Sequence, residues 1–303
     1  MATLKGQNFR IFTVSSTTAT VIGMATNCTV TMNSNTEEAS TKDDVGMASK
    51  PTVVSKSWQV QVESLDVADV GSLLSGIKNM SKFILMWDET SGTDNQTPLN
   101  ESMSRYGYAY LSDATFTFND RENSSKNLQF TGDGPLTEAA DTFTGNPVSP
   151  GAYTKGQFVR LFLSGSNTAT PANVIGAAKQ LSLHVSLTME DATTKDTANG
   201  DWQVQEPTAL NYDISTTALM RSGDTITSAV TAYGVTELEA LYKDSAPIKW
   251  QIANVSGDNN RTKGSVLCSG SCIVQTLTLN GPNRQNATYT AQLTGYGAYT
   301  VGA

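Results

Sequence analysis

The sequence contains few of the residues that carry enzyme and metal chemistry. Its 303 residues include one histidine and three cysteines, and only 16% of the residues are charged. Zinc sites and most pairs of nucleophile and base draw on clusters of histidine, cysteine and carboxylate side chains. His184 lies on the polar face of a predicted strand and has no such partners nearby in the sequence. We therefore predict a protein that is not an enzyme, with no catalytic residues, no metal site and no cofactor.

The three cysteines are too few and too scattered for a disulfide framework. Their small number is typical of chains that fold in a reducing cytoplasm. Cys268 and Cys272 resemble half of a zinc site, but zinc takes four ligands and the sequence has no second pair. In an extended strand their sulfur atoms would lie about 13 Å apart, too far for a disulfide unless Gly270 folds the chain back. Reduced thiols are the simplest interpretation.

Long apolar runs and positive charge are also scarce. The longest apolar run, residues 83–87, is far shorter than the roughly 20 residues of a membrane-spanning helix. Lysine and arginine total 20 against 28 aspartates and glutamates, so the net charge is -8. Such a charge disfavours binding that neutralises nucleic-acid phosphates. The first residues lack a basic region followed by an apolar core, and no secretory signal peptide is expected.

The sequence is rich in the period-two alternation of apolar and polar residues that is typical of half-buried strands. Strands are predicted at 28–33, 57–63, 82–87, 181–187, 210–215 and 248–253. Helical spacing occurs once in each half, at 67–77 and 236–242, and Thr236 with Glu239 forms a predicted capping box. The predicted fold class is mainly β, with two tandem β-sandwich or half-barrel domains, each flanked by one α-helix.

The second half of the sequence repeats blocks of the first half in the same order. The matching blocks are 5–12 with 155–162, 37–43 with 190–196, 115–120 with 276–281, and 131–137 with 294–300. The segment between the halves contains prolines and glycines without sustained periodicity, as linkers do. We predict a first domain at 1–137, a linker at 138–153 and a second domain, an internal repeat of the first, at 154–303.

Three features in a fixed order resemble the major tail protein, or tail tube protein, of long-tailed bacteriophages. They are E-[ED]-A-[ST]-T-K-D after the second strand, a single helix, and a last hairpin that ends in T-G-x-G. The resemblance implies a structural virion protein, assembled in the bacterial host cytoplasm, that polymerises as stacked rings around a DNA-conducting channel. Members usually carry one tube domain and form hexameric rings. A chain with two domains would form trimers that act as pseudo-hexamers, or hexamers with the second domain outside.

The resemblance also implies partners and contact residues. The partners would be further copies of the chain and the tape-measure, tail terminator and baseplate proteins, while DNA passes through the lumen without specific binding. Loops at 41–56 and 194–207 would contact the neighbouring ring, unless they are ordinary mobile loops. Their charged residues are Lys42, Asp43, Asp44, Lys50, Lys195, Asp196 and Asp201. The candidate residues that line the lumen are Gln59, Gln61, Glu63, Asp213 and His184.

Two other classes of protein fit the composition. One is a different ring-forming component of a phage tail, a terminator or a baseplate protein, because a fold does not fix the role of the protein. The other is a tandem β-sandwich binding module, such as an adhesin or a carbohydrate-binding protein. The sequence has neither the signal peptide nor the aromatic-rich loop that a module of this kind would show. An enzyme is the weakest candidate because no nucleophile, base or metal constellation is present.

Overall fold

Strands form most of the chain in the computed structural model. The structure describes residues 4–43, 49–65, 69–90, 94–100, 103–138, 143–146, 154–196, 200–221, 232–256 and 262–302. The elements of the first half are β1 (Phe9–Ser15), β2 (Thr18–Val21), β3 (Ala25–Glu38), β4 (Pro51–Ser64), α1 (Val70–Lys78), β5 (Lys82–Glu89), β6 (Arg105–Asn119), β7 (Ser125–Glu138) and β8 (Thr144–Asn146). One short 3-10 turn precedes the first strand of each half, Gly6–Asn8 in the first half and Gly156–Phe158 in the second.

The second half has nearly the same succession of elements. They are β9 (Val159–Leu163), β10 (Asn173–Ile175), β11 (Ala178–Asp191), β12 (Gln205–Leu219), β13 (Ala232–Tyr233), α2 (Val235–Asp244), β14 (Ile248–Ser256), β15 (Thr262–Asn280) and β16 (Thr288–Val301). The mainly β fold class and the single helix in each half agree with the sequence prediction. No helix in the described ranges is long and apolar enough to cross a membrane.

All of these strands belong to one sheet. Within the first half, neighbouring strands follow the order β2-β1-β5-β6-β7-β4-β3, and in the second half the order is β10-β9-β14-β15-β16-β12-β11. The halves are joined because β11 pairs with β6 in antiparallel orientation. The short strands β8 and β13 add parallel pairs to β2 and β10. β8 lies inside the predicted linker, which is therefore partly a strand.

The two halves also have irregularities at corresponding points of their ladders. In the β6–β7 pair the register shifts between Tyr106 and Tyr108, and in β15–β16 it shifts between Ser269 and Ser271. A bulge adds one residue to one strand and bends it, so its position is a specific feature of a sheet. This agreement defines which positions of the two halves correspond.

Glycines face a large aromatic ring at the same place in each half. A Cβ at Gly132 would lie 2.3 Å from the Trp58 ring, and one at Gly295 would lie 2.6 Å from the Tyr212 ring. The backbone of β7 and of β16 therefore approaches these rings more closely than any side chain would allow. Trp58 donates a 3.0 Å hydrogen bond to the carbonyl oxygen of Gly134, which holds the ring in place.

One continuous hydrophobic core runs through both halves. Buried residues of the two halves belong to the same cluster, among them Leu74 and Ile77 of α1 and Leu238 of α2. The Tyr299 hydroxyl on the last strand donates a 2.6 Å hydrogen bond to the carbonyl oxygen of Leu74. The second half therefore contributes directly to the packing of the first half's helix.

The capping box predicted for α2 is wrong in its residues. The carboxylate of Glu237 accepts a 2.8 Å hydrogen bond from the Gly234 N–H, which is the cap. Glu239 instead forms a 2.8 Å ion pair with Lys243, four residues later on the exposed side. The helix begins one residue before Thr236, so the carboxylate at the third helical position is Glu237.

Candidate assembly interface

The seam between the two halves is a regular antiparallel pairing of β11 with β6. It runs from Gln180 opposite Asn119 to Ser186 opposite Asp113. The apolar side chains along it are fully packed, and Val185 and Phe116 are both 0% exposed. The seam thus closes a sheet edge that would otherwise display unpaired backbone groups.

A charged cluster crosses the polar side of this seam. His184 on β11 lies between Asp113 on β6, at 2.7 Å from its Nε2, and Asp213 on β12, at 3.0 Å from its Nδ1. Hydrogen bonds to the two carboxylates raise the pKa of His184 to about 10, although partial burial lowers it. The imidazole is therefore charged at neutral pH. These partners are distant along the chain, so the sequence around His184 does not indicate them.

Replacing His184 by Gln should remove a pH-dependent part of the stability. The folded-state pKa lies above the unfolded value, so the stabilisation is complete below about pH 6.5 and is lost as pH rises towards 10. The partly exposed carboxylates limit its size to about 1 kcal/mol. We expect the difference in free energy of unfolding between wild type and the variant to shrink from pH 6 to pH 10 in urea titrations. A difference that stays constant over this range would contradict the role of the charge.

Apart from the short terminal strands β8 and β13, two long strand edges have no neighbour in the described residues. β3 pairs only with β4, and the end of β15, residues 273–280, pairs only with β16. These edges correspond to the two strands that meet at the seam, since β3 occupies the place of β11 and β15 the place of β6.

Apolar side chains on the free edges are exposed where their seam counterparts are buried. Met32, which lies opposite Trp58, is 63% exposed, whereas Val185, which lies opposite Tyr212, is 0% exposed. Leu279 is 54% exposed, and its counterpart Phe116 is 0% exposed. Exposed apolar residues along an unpaired edge are features of an interaction surface.

The residues predicted to line a lumen share one face of the sheet. Gln59, Gln61 and Glu63 are exposed and alternate with buried valines of β4. Asp213 is exposed on β12, next to the buried Ile214, and the half-buried His184 pairs with it across the strands. The five side chains therefore point to the same side, opposite the core. Asp113 belongs to the same face but was missed by sequence reasoning.

The predicted inter-ring loops are shorter than the sequence suggested. Residues 51–56 belong to β4 and residues 205–207 to β12, because both segments pair with the preceding strand. The described exposed loop residues are Lys42, Asp43, Lys50, Lys195, Asp196 and Asp201, and Asp44 lies outside the described residues. The carboxylate of Asp201 forms a 3.2 Å ion pair with Lys56, so this charge is bound within the chain.

The cysteines give no sign of a metal centre. Cys268 and Cys272 are buried free thiols, and burial raises the pKa of both, that of Cys272 to about 12. Cys28 is a half-buried free thiol. Within the described ranges no three metal-ligating side chains lie close enough to hold an ion.

Sequence and structure comparisons relate the chain to tail tubes. Residues 156–301 match the family model described as phage tail tube protein. No curated protein matches the sequence. Solved structures similar in fold include the tail of an empty gene transfer agent particle (14% identity, 48% of this chain and 96% of that chain, TM-score 0.36). Another is the virion of a native gene transfer agent, with 14% identity, 50% of this chain and 99% of that chain covered, and a TM-score of 0.35. A third is the SPP1 tail tube, with 16% identity, 49% of this chain and 78% of that chain covered, and a TM-score of 0.36. The match over residues 156–301, just under half of the chain, is to the phage tail tube protein family, and it supports a structural role in a phage tail.

Proposed function

We propose that the protein polymerises as stacked rings that form the tail tube, with three chains in each ring acting as a pseudo-hexamer. The observation that carries this proposal is the seam between β6 and β11. The free edge of β3 corresponds to β11, and the free end of β15 corresponds to β6. When a molecule carries complementary surfaces on opposite sides, its copies can associate head to tail. Such contacts generate a closed ring if the rotation between successive copies closes. The rings would bury both free edges.

The seam supplies a register for the contact between chains. If β3 meets β15 of the next chain as β11 meets β6, apolar residues of both edges become partners. The pairs transferred in this way are Val30 with Leu279 and Met32 with Leu277. Closure would then bury Met32 and Leu279, which are 63% and 54% exposed in the single chain. Their burial would contribute the apolar term that an interface needs at its centre.

We also propose that the halves are copies of one tube domain, at 1–137 and 154–303, joined by the linker at 138–153. Their common strand order and corresponding bulges support this interpretation. Because the two halves share one polar face, both would line the channel. This favours three chains per ring over six chains with the second domain outside.

The polar face suits a channel through which DNA passes without binding. Around the candidate lumen residues it carries hydroxyl and amide groups and the carboxylates of Glu63, Asp113 and Asp213. The cationic His184 on this face is already paired with two carboxylates. Affinity for DNA depends on cations that neutralise phosphates, so this face would repel the strand. Copies of the chain would be the main partners, with tape-measure, terminator and baseplate proteins inside and at the ends of the tube.

Cryo-electron microscopy of the purified protein at high concentration tests the proposal. We expect tubes with threefold symmetry and six similar densities in each ring. Sixfold symmetry with a second layer of density outside would contradict the pseudo-hexamer. Single rings that never stack would indicate a terminator or baseplate role, and protein that stays monomeric with every initiating tail component would contradict the tube.

The loop between β3 and β4 provides a separate test of ring stacking. Its base is closed because the carboxylate of Glu38 accepts hydrogen bonds of 3.0 Å from the N–H groups of Ser40 and Lys50. Replacing residues 41–49 by two glycines should therefore leave the hairpin folded. We expect the variant to form rings but no tubes in negative-stain images. Tubes of normal length would show that the loop does not join rings.

A further inference from the structure

A cleft lies beside the first strand of the chain, where β1 approaches the free edge of β3. Its volume is about 490 Å³, and its lining includes Gly6, Gln7, Arg10, Asn27 and Cys28. Gly6 is exposed, and a Cβ added there would meet no atom within 4 Å. No contact within the described ranges therefore explains a glycine at this position.

The corresponding place in the second half is filled by a hairpin. Gly156 is buried against the β6–β7 turn, and a Cβ there would lie 2.3 Å from the Asn119 carbonyl oxygen. The Gly156 N–H donates a 2.9 Å hydrogen bond to the Glu122 carbonyl oxygen. The Ser124 N–H donates a 2.7 Å bond to the Thr154 carbonyl oxygen. The cavity that remains beside the hairpin is only about 20 Å³.

The turn between β15 and β16 has the same shape as this hairpin. Arg121 has a φ of 63° and Arg284 has a φ of 62°, and both lie at the tip of their turn. The Gln285 N–H donates to the Pro282 carbonyl oxygen at 3.4 Å, the same bond and length that link Glu122 to Asn119. Residues 281 and 283–286 are exposed. Among the described residues, there are therefore one occupied cleft, one open cleft and one hairpin without a partner.

We propose that the cleft beside Gly6 binds the hairpin 281–287 of a second copy of the chain. The Gly6 N–H would donate to the Gln285 carbonyl oxygen, and the Ala287 N–H would donate to the Leu4 carbonyl oxygen, as in the occupied cleft. Only a glycine leaves room for a backbone at such a distance. This contact rests on the ring proposed above and adds a second specific contact between chains, beside the β3–β15 pairing.

An unpartnered polar atom in the cleft supports the same occupant. The Nε of Arg10 is buried and has no hydrogen-bond partner among the described residues. In the occupied cleft, Asp120 of the hairpin lines the cavity together with Arg160. Asn283 holds the position of Asp120 in the free hairpin, so its side-chain oxygen would reach the cleft from the second copy. A buried donor without a partner is unfavourable, and an incoming acceptor would remove that cost.

A designed disulfide tests the contact. Asn123 and Lys155 form an antiparallel bridge in the occupied cleft, so Asn286 and Lys5 of two copies should form the same bridge. Bridge partners have Cα distances of about 4.5–5.5 Å, within the range of a disulfide. In a Cys28→Ser background, Lys5→Cys with Asn286→Cys should give covalent oligomers on non-reducing gels after oxidation of concentrated protein. Asn123→Cys with Lys155→Cys is the matched control and should crosslink within one chain. Lys5→Cys with Asn123→Cys should not crosslink.

The outcomes separate this contact from the tube itself. Covalent oligomers that stop at three chains support both proposals. Tubes in the microscope without a Lys5→Cys to Asn286→Cys crosslink overturn the cleft contact and leave the tube. Covalent dimers without tubes under any condition support the contact and contradict the tube. If neither the crosslink nor tubes form, both the cleft contact and the tube are contradicted.

A single substitution gives a second test. Gly6→Val should fold as the wild type does, because the side chain meets only solvent in the single chain. It would occupy the cleft, and we expect the concentration needed for assembly to rise at least about tenfold. Gly6→Val assembling at the wild-type concentration would overturn the proposal.

Discussion

Met32→Asp is expected to prevent ring closure while the single chain stays folded. Met32 is 63% exposed in the chain, so an aspartate there would remain in water and leave the free energy of unfolding within about 0.5 kcal/mol of the wild-type value. In the ring the same position would be buried, as Val185 is at the seam. Burying a carboxylate without a partner costs several kcal/mol. We expect association to weaken by at least about a hundredfold.

Sedimentation velocity and negative-stain microscopy would measure this loss of assembly, and urea unfolding of the monomer would show that the fold is intact. Leu279→Asp should have the same effect, because it changes the complementary edge. Tyr108→Asp on β6 is the matched control, since Tyr108 is 54% exposed but has a paired strand on each side, β5 and β7. Met32→Asp that assembles as well as the control would contradict the edge-to-edge contact.

Asp69→Ala is expected to destabilise the single chain more than any surface substitution. Asp69 precedes α1, and its carboxylate pairs with the ammonium of Lys126, whose side chain is 0% exposed. Removing the partner of a buried charge costs about 3–5 kcal/mol. The carboxylate is 40% exposed, so water reduces the expected loss to about 2–3 kcal/mol. Lys126→Met should cost less than Asp69→Ala, because it removes the charge that needs a partner.

Urea unfolding of both variants and of the double variant would measure the coupling between the two residues. Glu239→Ala is the control, since it breaks the exposed pair with Lys243 and should cost at most about 0.5 kcal/mol. A loss for Asp69→Ala no larger than for this control would mean that the Lys126 ammonium is stabilised without the aspartate.

Local patterns predicted the elements of this protein well. Alternation identified the strands, because one face of each packs on the core. Val60 and Val62 are buried and Gln59 and Gln61 are exposed as their spacing requires. Helical spacing located α1 and α2, and short blocks in a fixed order were sufficient for the resemblance to tail tube proteins. These features depend on residues that are close in the sequence.

Several predictions failed where partners distant in the sequence decide the conformation. The resemblance implied a loop that extends through residue 56, yet residues 51–56 form a strand since β3 lies beside them. No local pattern indicated the partners of His184, because its carboxylates come from positions 113 and 213 and meet the histidine only across strands. Side-chain periodicity gives no information about which strand lies next to which.

The sequence by itself determined the mainly β class, the face that each strand buries, the positions of the helices and the resemblance to tail tube proteins. Only the tertiary structure decided that β11 pairs with β6, that β3 and the end of β15 remain without neighbours, and that Gly156 is covered while Gly6 is open. The physical reason is that backbone hydrogen bonds between strands are the same for every sequence, so pairing follows from how the whole sheet buries its apolar face. In this protein, the partners of its two free edges are expected to come from other copies of the chain.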